Sequence, residues 1–282
     1  MIKTGWVLCL MLPLLACARQ EVVPKTQTNE QGCTRIRSIG PQDPFKNPPP
    51  LKEACLGPYL LEIPQNYFYN QIGTEHDGSY ALALEYPSLQ PFKPGERMNL
   101  SVDVSVRTVT VDYSYIDRID VREALRRNYI PMAYKKDDPE ESLEGRIGGQ
   151  SVYGLSPYYL DMDVVRAHYR KKGFQEDAPV MKPERHTDWF LSRDESGEVA
   201  TVIKCTAREV TISGVEYRDG KMVKSGEIGY ADCKHTFMIA SLHTLIRIEY
   251  PREGLKRWRE IEQRARDLLA ESMTERDGET KP

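Results

Sequence analysis

Two groups of side chains in the sequence have types and a spacing that could hold a metal ion. The first group is Asp161, Asp163 and His168, and the second is Cys233, His235 and His243. A structural zinc site needs four ligands at suitable spacing, and each group falls short of that number. An aspartate before an apolar helix is also the usual helix cap. We therefore predict capped helix starts and strand positions here, and no metal site.

Acid–base chemistry would need a shielded carboxylate with a shifted pKa. The paired carboxylates of the chain, Asp137-Asp138 and Glu140-Glu141, lie in a charged stretch that we interpret as a solvated loop. The motifs G-x-S-x-G, H-E-x-x-H, G-x-x-x-x-G-K-[ST] and G-x-G-x-x-G do not occur in the sequence. The sequence therefore predicts a protein that is not an enzyme and that has no cofactor.

The N-terminus has the layout of a secretory signal, predicted over residues 1–16. One charge, Lys3, precedes an apolar run of about a dozen residues, which is shorter than the roughly 20 that a membrane-spanning helix needs. The run ends in Leu14-Leu15-Ala16-Cys17, which resembles the lipobox of bacterial lipoproteins. That resemblance implies cleavage before Cys17 and lipid on its sulfur and amine. With no aspartate after Cys17, it further implies retention in the outer membrane, facing the periplasm; a plain secretory signal is the alternative.

The composition is typical of a folded globular domain that is not itself embedded in a membrane. The net charge is −3, the apolar fraction is 40%, and the mean hydropathy is −0.56. A net charge this close to zero gives no general attraction to nucleic acid, so we expect no nucleic-acid partner. The negative mean hydropathy excludes a protein with several membrane spans. Residues 17–50 are polar and then rich in proline, which is typical of an extended tether. We predict an N-terminal lobe over 51–145 and a C-terminal lobe over 146–282.

Four cysteines remain after Cys9 is removed and Cys17 is lipidated. They are Cys33, Cys55, Cys205 and Cys233. An even number in an oxidising compartment predicts two disulfides, which can form in three pairings. Proximity in sequence favours Cys33 with Cys55 and Cys205 with Cys233. Free buried thiols are the alternative.

Apolar periodicity predicts an α+β fold, in which antiparallel hairpins and a meander pack against a C-terminal amphipathic helix. The predicted strands are 57–63, 79–86, 99–113 with a bulge near Thr108, 188–193, 199–205, 208–213, 234–240 and 243–250. The predicted helices are 121–128, 163–173 and 251–273. Residues 135–149 are predicted to form a loop at the boundary between the lobes.

Tyrosine is unusually frequent, with 16 tyrosines against six phenylalanines. Tyrosine is enriched at recognition surfaces because it offers a large contact area at low entropic cost. A half-buried place in a sheet is the alternative for any one of them. The candidate partner-binding residues are Tyr158, Tyr159, Asp161 and Asp163.

Three segments resemble lipoproteins that act as immunity proteins against type VI secretion effectors. They are Cys55-Leu-Gly-Pro-Tyr-Leu-Leu-Glu-Ile-Pro-Gln-Asn-Tyr67, Leu84-Glu-Tyr-Pro-Ser-Leu89, and the stretch from Cys233-Lys-His-Thr-Phe237 through Tyr250 to Trp258 and Ile261. In that family a cysteine-bearing segment leads into an early strand that ends in proline, and a cysteine-containing strand precedes a final helix with a tryptophan.

The resemblance implies a periplasmic lipoprotein that binds one toxic effector, often a phospholipase, and blocks its active site. Its membrane contact would be through the N-terminal lipid alone. The alternative function is an envelope assembly or maintenance lipoprotein that acts as a structural or binding module. A shared fold does not by itself decide between the two.

Overall fold

Thirteen strands and four α-helices make up the part of the chain that the computed structural model describes, residues 43–73, 79–99, 101–226 and 229–273. The strands are β1 Leu51–Leu56, β2 Tyr59–Pro64, β3 Ser79–Glu85, β4 Gln90–Pro91, β5 Thr108–Tyr115, β6 Arg146–Gly148, β7 Ser156–Leu160, β8 Thr187–Arg193, β9 Val199–Thr206, β10 Val215–Arg218, β11 Lys221–Lys224, β12 Asp232–Ile239 and β13 Thr244–Pro251. The helices are α1 Val102–Val106, α2 Val121–Arg126, α3 Met162–Lys171 and α4 Trp258–Ser272. This confirms the predicted α+β class.

Nine of the strands form one antiparallel sheet in the order β4-β3-β5-β13-β12-β9-β8-β7-β6. Strands β1 and β2 form a separate hairpin, as do β10 and β11, whose turn is Asp219-Gly220. Strand β8 pairs with β9 and β12 with β13, in agreement with the predicted antiparallel meander. The sheet takes strands from both predicted lobes, 51–145 and 146–282, and the division between those lobes stays a prediction.

One face of the sheet, here called the inner face, packs against α4. The apolar side chains on one side of this helix are buried, as is Leu255 just before it: Trp258, Ile261, Ala265, Leu268 and Leu269. They share a core with Val111 and Tyr113 of β5 and with Ile248 of β13. The Tyr113 hydroxyl donates a hydrogen bond to the Ala265 carbonyl at 2.8 Å, so the large ring is buried without leaving its polar end unpaired.

The prediction of one strand over 99–113 is wrong for its first half. Residues 102–106 form α1, because Ser101 caps a helical turn by accepting a hydrogen bond from the Val104 amide at 3.2 Å. Val104 and Val106 are buried, whereas Val102 is 55% exposed. The alternation of valine with polar residues therefore does not mark a buried strand face here. The bulge predicted near Thr108 is likewise wrong, because Thr108 is the first residue of β5 and follows the helix α1.

The predicted strand 208–213 is also wrong, because these residues lie outside the regular elements. The Arg252 guanidinium donates hydrogen bonds to the carbonyls of Thr206, Ala207 and Val210 at 2.5–3.1 Å. A buried backbone carbonyl needs a partner, and here one side chain supplies it where a neighbouring strand otherwise would. None of the helices in the described residues is long and apolar enough to cross a membrane.

Candidate partner-binding surface

The face of the sheet opposite α4, here called the outer face, carries the polar side chains of the central strands. Register pairs seven residues directly across seven neighbouring strands, in the order Tyr158, Trp189, Lys204, Lys234, Glu249, Thr110 and Ala83. We call this set the cross-strand row. Neighbours in such a row have Cβ atoms about 5 Å apart, so their side chains interact.

Helix α2 covers the neighbouring part of the outer face with apolar contacts. Val121 and Leu125 of this helix pack against Leu191, Val202 and Leu245. The Asp120 side chain caps α2, accepting a hydrogen bond from the Arg122 amide at 2.7 Å. The cross-strand row lies beside this cover, and its central members Lys234 and Glu249 are exposed.

One half of the row is basic. The Trp189 ring is buried and has two cations near its centre, the Lys204 ammonium at 3.8 Å and the Arg146 guanidinium carbon at 4.0 Å. Burial lowers the pKa of Lys204 to about 8, against a smaller opposing effect of Glu141. Burial likewise lowers the pKa of Arg146 to about 10.

The other half of the row adjoins acidic groups and two cavities. Burial, followed by the charge of Glu249, raises the pKa of Asp112, and Arg247 opposes it from the paired position on β13. Cavities of about 480 and 410 Å³ open beside this half and meet at Tyr69 and Asn70. Exposed aromatic and thioether side chains border the second cavity: Tyr69, Met98 and Tyr230.

Arg97 holds the segment that separates the two cavities. Its guanidinium donates hydrogen bonds to the carbonyls of Phe68 and Tyr69 at 2.5 and 2.6 Å, and it lies within 6 Å of the centres of the Tyr69 and Phe92 rings. Two bonds from one planar group fix the segment in position as well as in orientation. Tyr69 is thus presented to solvent, 53% exposed, from a rigid backbone.

The four predicted partner-binding residues do not share one surface. Tyr158 belongs to the cross-strand row, whereas Tyr159 points to the inner face and meets Phe190 edge-to-face at 6.3 Å between ring centres. Asp161 is the N-cap of α3 and accepts hydrogen bonds from the amides of Asp163 and Val164. The side chain of Asp163 is 95% exposed.

Some of the cysteines with a predicted role lie among the described residues, and others do not. Cys205 and Cys233 form the predicted disulfide between paired positions of β9 and β12. Cys55 is also in a disulfide, and its predicted partner Cys33 lies outside the described residues, as does the lipid-anchor candidate Cys17. Because Cys233 is oxidised, it is not available as a metal ligand.

The prediction that Glu140 lies in a solvated loop is wrong. One of its oxygens contacts Nδ1 of buried His186 and the other accepts a hydrogen bond from the Tyr169 hydroxyl. Nε2 of His186 lies 2.8 Å from the Val180 carbonyl. Both imidazole nitrogens face acceptors, so both must donate, and His186 is protonated. Residues far apart in sequence meet here, so nothing local in the sequence marks Glu140 as part of an ion pair.

A second buried polar contact joins the sheet to α4. Nε2 of fully buried His235 lies 3.0 Å from Glu262, whose carboxylate also accepts hydrogen bonds from Thr201 and Arg266. Burial alone would raise the pKa of Glu262, but the bond with His235 and the pairing with Arg266 hold it below its ordinary value. This site is inside the core, where its groups are fully engaged with one another, which is typical of a structural pair.

No group of three or more histidine, cysteine, aspartate or glutamate side chains within the described ranges is arranged to hold a metal ion. The outer face offers charged groups, exposed aromatic area and two cavities. Aromatic side chains are enriched at protein–protein interfaces.

No family model matches the sequence, and no curated protein matches it. Two solved structures are similar. Smlt3025, an immunity protein of the Stenotrophomonas maltophilia type IV secretion system, has 25% identity, with a TM-score of 0.69 over 89% of this chain and 100% of its own. The iron-regulated outer membrane lipoprotein FrpD of Neisseria meningitidis has 10% identity, with a TM-score of 0.41 over 87% and 99%. The chain thus has a fold similar to that of a secretion-system immunity protein along nearly its whole length.

Proposed function

We propose that this protein is an immunity protein, which binds a cognate toxic effector of a bacterial secretion system and neutralises it. The observation that carries the proposal is the similarity to Smlt3025, which spans all of that chain at 25% identity. The resemblance in sequence to effector-immunity lipoproteins leads to the same class. Binding in place of catalysis also agrees with an outer face built from paired charges and exposed aromatic groups.

Finer points of the proposal come from the sequence. Cleavage of residues 1–16 and lipidation of Cys17 would anchor the protein to the outer membrane, and the tether 17–50 would hold the folded body in the periplasm. The sequence resemblance is to immunity against type VI effectors, often phospholipases, whereas Smlt3025 itself belongs to a type IV system. We propose that the effector is blocked at its active site, by the outer face of the sheet.

Co-purification tests the function. Residues 18–282 are expressed with the product of the neighbouring gene, and we expect a stable one-to-one complex that removes the toxicity of that product in the periplasm. A harmless neighbour that forms no complex would contradict the proposal. It would favour the alternative, a lipoprotein of envelope assembly or maintenance, which predicts an outer-membrane defect when the gene is deleted.

Four candidate residues remain our proposal for the interface: Tyr158, Tyr159, Asp161 and Asp163. Because they occupy different positions in the fold, we expect different effects from their substitution. Tyr158 lies in the cross-strand row, so Tyr158→Ala is expected to weaken the complex. Tyr159 packs into the core against Phe190, so Tyr159→Ala is expected to lower stability more than affinity. Equal affinity of Tyr158→Ala and the unaltered protein would remove Tyr158 from the interface.

A further inference from the structure

We propose that Lys204 and Lys234 on the outer face form a receptor for an acidic side chain of the effector, with Lys204 as the buried anchor. This inference rests on the proposed function and names the chemistry of the contact. The two lysines are directly paired on β9 and β12. Both lie on the side of the sheet away from α4, where Lys204 is half-buried and Lys234 is exposed, so a partner can approach from the Lys234 side.

Lys204 is held in place by its neighbours. The Trp189 ring lies 3.8 Å from its ammonium on one side, and Lys234 is its cross-strand partner on the other. The buried indole is fixed in turn by its Nε1–H, which donates to the Thr187 hydroxyl at 3.2 Å. A lysine aligned by an aromatic face loses little further entropy on binding a partner, which is the advantage of preorganisation.

The Lys204 ammonium has no hydrogen bond or ion pair with any described residue, although it is half-buried. The carboxylate near it, Glu141, is engaged elsewhere, because it pairs with Lys135 at 2.5 Å. Beyond Lys234, Glu249 pairs with that lysine at 3.5 Å. Buried charges in proteins are normally paired, because an unpaired one loses its hydration without compensation. An incoming anion would provide the missing partner.

Lys204 lies near Glu141, and Arg146 and Lys135 add positive charge around it. The site as a whole therefore favours an anion, and the occupant we propose is the carboxylate of a protein partner. Lys234 is 68% exposed and its bond with Glu249 is long, so it can turn toward a newly bound carboxylate at small cost. The basic pair also continues into the row that contains Tyr158, which gives a protein partner an aromatic contact beside the charge.

The test uses the one-to-one complex of residues 18–282 with the effector. Lys204→Gln removes the charge, Lys204→Arg keeps it, and Lys256→Gln is a matched control on an exposed lysine before α4, on the opposite side of the molecule. We expect Lys204→Gln to raise the Kd by about 10- to 100-fold. We expect Lys204→Arg to raise it less than about fivefold and Lys256→Gln to leave it unchanged. The melting temperature of Lys204→Gln should be the same or higher, because an unpaired buried charge has been removed.

Acetylation of the unaltered protein gives a second readout that does not depend on any substitution. Acetic anhydride at neutral pH is expected to modify Lys204 in the free protein and to modify it at least 10-fold more slowly in the complex, while Lys256 reacts equally in both. A complex in which Lys204 keeps its free reactivity, with Lys204→Gln binding normally, would overturn the inference and leave the proposed function standing. Protection of Lys204 by phosphatidylglycerol vesicles and not by the effector would assign the basic pair to a membrane surface and overturn the inference. Absence of any complex would overturn both.

Discussion

At the scale of single residues, the ion pair of Glu140 with His186 connects the 135–145 loop to the sheet. Burial alone would lower the pKa of His186, but the bond with Glu140 outweighs it and raises that pKa. Burial alone would raise the pKa of Glu140, but its bonds from His186 and Tyr169 hold it below its ordinary value. Each shift means that the folded state favours the charged form, so the pair stabilises the fold.

The two shifts define a pH window. The contribution of His186 is fully present below its ordinary pKa of 6.5 and is lost as the pH rises through the raised folded value. The contribution of Glu140 is present above its ordinary pKa of 4.5 and is lost as the pH falls through the lowered folded value. The pair therefore stabilises the protein most between about pH 5 and 6.

We predict that His186→Gln lowers the free energy of unfolding more at pH 5.5 than at pH 8.5, by about 1 kcal/mol. Urea unfolding at the two pH values measures this difference. His243→Asn is the control, because His243 is exposed at a left-handed turn position that asparagine also adopts. The same loss of stability at both pH values would show that His186 is neutral in the folded protein.

At the scale of elements, α1 shows how a local cap overrides an alternating pattern. Val102, Val104 and Val106 alternate with polar residues as in a strand, and valine favours strands. The Ser101 side chain nevertheless accepts from the Val104 amide, and Asp103 accepts from the Lys224 amide at 2.9 Å. These two contacts, one of them from a distant hairpin, stabilise a helical turn that the sequence pattern alone does not predict.

We predict that Ser101→Ala lowers the free energy of unfolding by about 1 kcal/mol, the usual cost of losing an N-cap. Chemical denaturation measures it, and Ser151→Ala, at an exposed serine outside the helices, is the control. No difference between the two variants would mean that the cap does not stabilise α1.

At the scale of the whole molecule, the proposed anchor and the folded body have separate roles. Residues 43–273 contain the described sheet, helices and outer face, whereas Cys17 lies before them in the sequence. Binding should therefore depend on the body, and location on the anchor.

We predict that Cys17→Ser moves the protein from the outer-membrane fraction to the soluble periplasmic fraction, while the purified protein binds the effector with unchanged Kd. Cell fractionation and titration calorimetry measure the two effects. The matched control is Cys9→Ser, within the predicted signal, which should remain in the membrane fraction. Membrane association of Cys17→Ser would contradict lipidation at this residue.

Features that depend on neighbouring residues could be predicted from the sequence. Apolar periodicity located α4 and the β12–β13 hairpin, aspartate caps located α2 and α3, and cysteine spacing identified the pairing of Cys205 with Cys233. Each of these follows from interactions within a few residues or between strands joined by short turns, so the pattern needed no knowledge of the rest of the chain.

Contacts between distant segments, in contrast, depend on the tertiary fold. The cross-strand row takes its members from seven strands, and its order depends on a sheet topology that no local pattern encodes. Glu140 and His186 also meet only in the folded protein, because they are 46 positions apart. The fold likewise brings both Lys204 and Arg146 to the Trp189 ring. The physical reason is that side-chain burial and charge pairing are properties of the packed sheet, so a lysine that looks ordinary in sequence becomes an unpaired cation only when the strands assemble.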